Sequence, residues 1–156
     1  MLTHIDDNKN PTMVDVGEKQ ITYRQATAVC KVLLPSEILE HLKDGDIKGK
    51  KGPVFHTAII AATMAVKKTS DLIPFCHPLP IENIKIQIKV NIENQVEIQS
   101  TVSLHHKTGV EMEALMGAHI AALTIYDMCK AMSHDICITD LQLIHKSGGK
   151  SDYSKA

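Results

Sequence analysis

The sequence predicts an α+β fold, a four-stranded antiparallel sheet with helices packed on one face. Three observations carry that expectation. Ile84, Ile86, Ile88 and Val90 alternate with Lys85, Gln87 and Lys89, and Val96, Ile98, Ser100 and Val102 alternate with Glu97, Gln99 and Thr101. This is the period-two pattern of half-buried strands. Residues 54–68 and 110–132 are long enough and apolar enough to be two helices. The order of elements is strand, helices, strand, strand, helix, strand, which is the ferredoxin-like plan.

The elements follow in order. Residues 19–34 carry β-branched residues and end in Val32-Leu33-Leu34, a strand. Pro35-Ser36-Glu37 opens a short helix to about Lys43, with Pro and an acid in its first turn. Asp44-Gly45-Asp46 ends it, and the Gly- and Lys-rich residues 45–53 read as an exposed loop. The helix over 54–68 has small residues at Ala58, Ala61, Ala62 and Ala65 that permit close approach, so it is a candidate contact between copies of the chain. Glu93-Asn94-Gln95 joins the two alternating strands as a hairpin. The second long helix follows, then a strand over 136–145 and a polar, Gly-bearing tail.

No repeat or linker divides the 156 residues, so they read as one domain over 1–156, with an N-terminal arm at 1–17 and a flexible tail at 146–156. Net charge is 17 − 18 = −1, which offers nucleic acid no overall attraction. Any anion site must therefore be local. The longest apolar run, residues 58–66, is too short to span a bilayer, and residues 1–7 lack the pattern of a signal peptide. The four cysteines form no CxxC pair and read as reduced thiols of a cytoplasmic protein. Nor do the nine histidines show zinc-ligand spacing, so no metal site is expected.

Three clusters could carry chemistry. In Asp71 to Pro80, three prolines stiffen the segment around Phe75, Cys76 and His77. His77 there is either a proton-transfer group or a packed residue that caps a carbonyl. In Lys107 to Glu113, Thr108 and Glu111 have the spacing of a capping box, while Glu113 lies about 200° around the helix from Glu111. One of these two carboxylates should face inward or toward a partner. In Thr124 to Lys130, Asp127 and Lys130 share a face three residues apart. Their apolar neighbours suggest partial burial and a shifted pKa suited to acid or base work. Asp127 lies fourteen residues beyond Glu113, about 21 Å along one helix. A single reaction centre using both needs either a long ligand or a site shared between chains. The Lys48-Lys50-Lys51 loop and the Lys146 to Lys150 glycine tail are candidate phosphate-binding elements, although a solvated tail has the same composition.

The strings MVDVGEK (13–19), KKGPVFHTAIIAA (50–62), KKTSDLIPFCHPLP (67–80), KTGVEMEAL (107–115), ALTIYDMCKA (122–131) and KSGGKS (146–151) together resemble one family, the molybdenum cofactor biosynthesis protein C family of cyclic pyranopterin monophosphate synthases. The resemblance covers nearly the whole chain. It implies a lyase that converts 3′,8-cyclo-7,8-dihydro-GTP to cyclic pyranopterin monophosphate and diphosphate. It also implies a ferredoxin-like fold and a homohexamer, a trimer of dimers with sites at the dimer interface. Matched by motif, Asp127 is the catalytic acid/base with Lys130 beside it, and Lys51 is the active-site lysine of the loop before the first long helix. Phe75, Cys76, His77, Met112 and Glu113 match substrate-binding positions, and Asp15, Glu111 and Lys146 match further pocket positions. No redox cofactor is implied, and Mg²⁺ accompanying the triphosphate is left open. The chain departs from the family pattern at Ser151-Asp152, one Gly short, at Ala62 and at His119. Two other readings share these residue types: a non-catalytic nucleotide-binding regulatory module, and a different acid/base lyase acting on a phosphorylated heterocycle.

Overall fold

A computed structural model describes residues 4–156. The chain runs β1 (Thr22–Leu33), α1 (Ser36–Leu39), β2 (Leu42–Lys43), β3 (Asp46–Gly49), β4 (Gly52–Pro53), α2 (Val54–Val66), α3 (Thr69–Leu72), β5 (Asn83–Val90), β6 (Gln95–His106), α4 (Glu111–Cys129), β7 (Cys137–Ser147) and β8 (Tyr153–Ser154). The α+β class and the antiparallel pairing match the expectation from sequence. The sheet, however, has five strands rather than four, in the order β5-β6-β1-β7-β8. The extra strand comes from the expected tail. Lys146 and Ser147 extend β7, and Tyr153 and Ser154 return to pair with Lys146 and His145. Thus part of the segment assigned to a tail is hydrogen-bonded sheet.

A second difference lies at residues 45–53, expected as a loop. There β3 and β4 form a hairpin, and β2, which takes Leu42 and Lys43 where the short helix was expected to continue beyond Leu39, completes a small three-stranded sheet. Ile47 is the cause: it is fully buried and anchors β3 in the core. Gly45, at φ +78°, supplies the left-handed turn that leads into it.

The period-two pattern places the core. Ala26, Ala28, Cys30 and Val32 of β1 and Val96, Ile98, Val102 and Leu104 of β6 are buried on the face that meets α2 and α4. The hairpin between β5 and β6 is fixed by Asn91, whose Oδ1 accepts the amides of Glu93 and Gln95, both at 2.9 Å. Each fully buried Val, Leu or Ile stabilises by roughly 1.5–3 kcal/mol relative to exposure.

With so few aromatic residues to fill space, the helices must lie close to the sheet and to each other. Ala58 and Ala62 of α2 and Ala114, Ala118, Ala121 and Ala122 of α4 are buried at these contacts. The alanines at 58 and 62 therefore serve packing within the chain. The outward face of α2 instead exposes Ile60 and Met64. The approach is tight at Gly117, where a Cβ would stand 2.4 Å from Ser100 Oγ and 2.9 Å from Val66 Cγ2. Gly117→Ala should therefore destabilise by about 1–3 kcal/mol by overpacking, even though Ala is the better helix former. Chemical denaturation checks this, and an unchanged or raised stability contradicts the packing described.

Candidate active site

The first group of site residues lines a cleft of about 440 Å³ beside the N-terminus of α4. The Pro-stiffened segment brings Phe75, Cys76 and His77, the start of α4 brings Glu111, Met112 and Glu113, and the end of β7 brings Lys146. The N-terminal arm closes one side through Val14 and Val16. Asp15, between them in the alternation, is exposed, and its Oδ1 accepts the Gly17 amide at 2.8 Å. The cleft thus takes the neighbours of Asp15 along this stretch.

His77 holds the arm in place. Its Nε2 lies 2.8 Å from the carbonyl oxygen of Val14. A carbonyl only accepts, so Nε2 carries the proton, and Nδ1 is the ring's acceptor when His77 is neutral. Of the two readings of His77 from sequence, the structure shows the carbonyl cap, and it also places the ring on the wall of the cleft. Lys107 makes a second tie, donating from Nζ to Gly17 O at 2.6 Å.

The two carboxylates of α4 part company. Glu111 pairs with Lys146 at 3.3 Å and makes no capping box, since the residue preceding the helix is Val110 and no side chain caps it. Gly109 leaves room for this carboxylate, because a Cβ there would lie 2.1 Å from Glu111 Oε2. Glu113 is turned inward and only 4% exposed. Burial raises its pKa to about 7, and the nearby Glu111 adds to the rise. A carboxyl poised there can give or take a proton at neutral pH. Cys76 is the opposite of an activated thiol: burial, then the charge of Glu113, pushes its pKa up.

Arg24 was not singled out from sequence. Its Nε and Nη2 donate to the carbonyls of His106 and Lys107 at 3.4 and 3.3 Å, and the residue lines the cleft. The signal was present: Arg24 continues the register of Ala26, Ala28 and Cys30, as a charge on the apolar side of β1. With Lys19, Lys107 and Lys146 it makes the cleft locally cationic in a chain of net charge −1. The glycine turn after β7 closes over Arg24. Asp152 Oδ1 accepts the Gly148 amide at 3.0 Å, and Thr22 Oγ1 donates to Gly148 O at 2.6 Å. Asp152 thus closes this turn even with the family's Gly missing before it.

The second group stands at the other end of α4. Asp127 lies between Lys130 Nζ at 2.8 Å and Lys51 Nζ at 3.4 Å. Lys51 comes from the two-residue turn between β3 and β4, where Gly49 pairs with Gly52. The expected partial burial of Asp127 and Lys130 does not hold, as their side chains are 53% and 50% exposed. Ala121, Ala122, Ile125 and Cys129 take the core side of the helix, so Leu123, Asp127 and Lys130 fall on its outer stripe. Lys130, then Lys51, holds the Asp127 carboxyl below the usual range, so it is ionised at neutral pH. Among the described residues, no three His, Cys, Asp or Glu side chains gather as a metal site, and all four cysteines are free.

Burial of Glu113 has a measurable cost. Its folded-state pKa is raised from 4.5 to about 7, so the folded protein binds this proton more tightly than the unfolded chain does. Its contribution is complete at acid pH and is lost as pH rises through this window. Glu113→Gln removes the titration. Its stability relative to wild type should grow between pH 4 and pH 8 by on the order of 3 kcal/mol, at 1.36 kcal/mol per unit. Denaturation curves at both pH values check this, and a gap that stays constant contradicts a buried, raised Glu113.

Residues 13–149 match the sequence model of the MoaC family. The chain is 51% identical over 155 residues to a cyclic pyranopterin monophosphate synthase of Xanthomonas oryzae, covering 99% of this chain and 94% of that protein. It is 52% identical over 159 residues to a molybdenum cofactor biosynthesis bifunctional protein of Synechocystis, covering 99% of this chain but 46% of that protein. It is also 52% identical to molybdenum cofactor biosynthesis protein 1 of Dictyostelium discoideum, over 93% of this chain and 26% of that protein. The chain therefore spans nearly all of one relative and half or less of the two longer ones. A family match across both groups of site residues, with identity of about half over almost the full chain, settles the kinship: the chain belongs to the MoaC family.

Proposed function

We propose that this chain is a cyclic pyranopterin monophosphate synthase, a lyase of molybdenum cofactor biosynthesis acting on 3′,8-cyclo-7,8-dihydro-GTP. The relatives that it spans most fully carry that name. The observation that carries the reading is Asp127 held between Lys130 and Lys51, an ionised carboxylate flanked by two cations.

The reaction opens and rearranges the purine-derived rings, closes a cyclic phosphate and expels diphosphate. Asp127, ionised at neutral pH, takes a proton, and the lysines beside it offset charge that develops on the substrate. Glu113 and His77 are a second acid/base set inside the cleft. Arg24, Lys107 and Lys146 suit the phosphates and the departing diphosphate. The chemistry uses the chain's own groups, and Mg²⁺, where present, arrives with the substrate's triphosphate.

The two groups belong to one reaction centre only if copies of the chain share it. Glu113 and Asp127 are fourteen residues apart on one helix, about 21 Å. A dimer that sets the Asp127 end of one α4 against the cleft of another brings them together, and exposed Ile60, Met64 and Leu123 give the helical layer an apolar outer face suited to that contact. Three such dimers make the hexamer we assign. The four long strands, in the order β5-β6-β1-β7 with α2 and α4 on one face, support the ferredoxin-like description. A cytoplasmic setting keeps the four thiols reduced.

Purified protein incubated with 3′,8-cyclo-7,8-dihydro-GTP should release diphosphate and form the pyranopterin. Asp127→Asn and Lys51→Ala should each lower turnover by roughly 10²-fold or more while leaving fold and assembly intact. Release of diphosphate by neither wild type nor variants, from folded protein, overturns the reading. Near-wild-type turnover by Asp127→Asn removes that residue from its role.

A further inference from the structure

Lys51 poses a physical problem. It sits on a two-residue turn, and its contact with Asp127 joins side chains that are 62% and 53% exposed. An ion pair so open to water is too weak to hold a hairpin in place. Something else must fix the turn against the C-terminal end of α4, where Gly49 packs near the Met128 carbonyl.

The fixing point is at the other end of the same hairpin. Asp46, the first residue of β3, is 5% exposed, and its carboxylate faces the start of α2. Oδ1 accepts the amides of Ile47 at 2.6 Å and Phe55 at 2.7 Å. Oδ2 accepts the amide of His56 at 3.1 Å and lies 2.6 Å from His56 Nδ1. Helix α2 needs this service. The residue before it is Pro53, which makes no side-chain cap, and the first amides of a helix have no partner within it. Phe55 and His56 are the second and third residues of α2, the amides that a local Ser or Asp cap satisfies. Here the cap comes from across the hairpin. Its negative charge also suits the positive end of the helix dipole. Burial pushes the Asp46 pKa up, but the bonds from Phe55, His56 and Ile47 together outweigh it and hold the group below the usual carboxylate value.

We propose that Asp46 is the positioning residue for Lys51: by capping α2 from the base of β3, it locks the hairpin whose tip presents Lys51 to Asp127. One end of the hairpin is thus bonded to the helix that packs on α4, and the other end carries the reacting cation. Removing the carboxylate unties the hairpin from the start of α2 and leaves it held by buried Ile47, its strand pairing and the exposed ion pair. The His56 ring covers the carboxylate from the solvent side and is the lesser part of the clamp, since its own side chain is 75% exposed.

This rests on the proposed role of Lys51 and Asp127, but its test does not. The Asp127 carboxyl is titrated by ¹³C NMR in the full-length protein, as wild type, Lys51→Ala, Asp46→Asn and the double variant. Lys51→Ala should raise the Asp127 pKa, because a cation is lost. Asp46→Asn should raise it too, although removing a negative charge acts by itself in the opposite direction. The double variant should shift it no further than Lys51→Ala alone. Asn keeps one carbonyl oxygen for Ile47 and Phe55, which makes it gentler than Ala, and amide exchange across residues 47–56 confirms that the molecule is folded while the hairpin is loosened. Turnover by Asp46→Asn should fall by roughly tenfold to hundredfold, as displacement of a reacting group by about 1 Å does. His56→Ala should lose much less. A folded Asp46→Asn whose Asp127 pKa is unchanged or lower overturns the proposal. So does an equal loss in His56→Ala, which makes the ring and not the hairpin the thing held. If wild type turns over no substrate, the proposed reaction fails while the titration still decides the clamp.

Discussion

Helix α4 crosses the sheet as a single rod of 19 residues, and that rod decides where Glu111, Glu113 and Asp127 can act. It lies against the sheet because Gly117 lets it approach Ser100 and Val66 and because alanines line its inner side. Given that seat, its N-terminal turn delivers Glu111 and Glu113 to the cleft, and its last turn delivers Asp127 and Lys130 to the opposite end. Neither group can be moved toward the other without undoing the core.

The two ends are built for different electrostatic work. The cleft combines a buried carboxyl, raised to about 7 by desolvation, with Arg24 and three lysines whose field favours a phosphorylated ligand. The other end is open to water, and there two lysines depress the pKa of Asp127. Covering this end with a second copy would desolvate the ion pairs and strengthen their interaction.

Much of this was legible in the sequence. Periods of two and 3.6 residues located the strands and helices, and fourteen residues between Glu113 and Asp127 announced the separation. What could not be read depended on tertiary partners. Ile47 turned an apparent Gly-Lys loop into a strand by finding the core. Glu111 makes no capping box because the helix begins after Val110, two residues beyond Thr108, and its carboxylate meets Lys146 of β7 instead. Asp127 proved exposed because its apolar sequence neighbours lie on other faces of the helix. Asp46 was invisible because its cap reaches nine residues ahead to Phe55, beyond any local motif.

The central claim is that the cleft of one copy works with the Asp127 end of another. Mixing His77→Ala with Asp127→Asn tests it most directly, since these residues come from opposite ends of α4. Each variant should be inactive alone. After subunit exchange in equal amounts, activity should return to about a quarter of the wild-type rate, because half of the pairs are mixed and each mixed pair has one intact site of two. No recovery, with exchange demonstrated by mass-tagged subunits, contradicts the shared site and requires both ends to act within one chain.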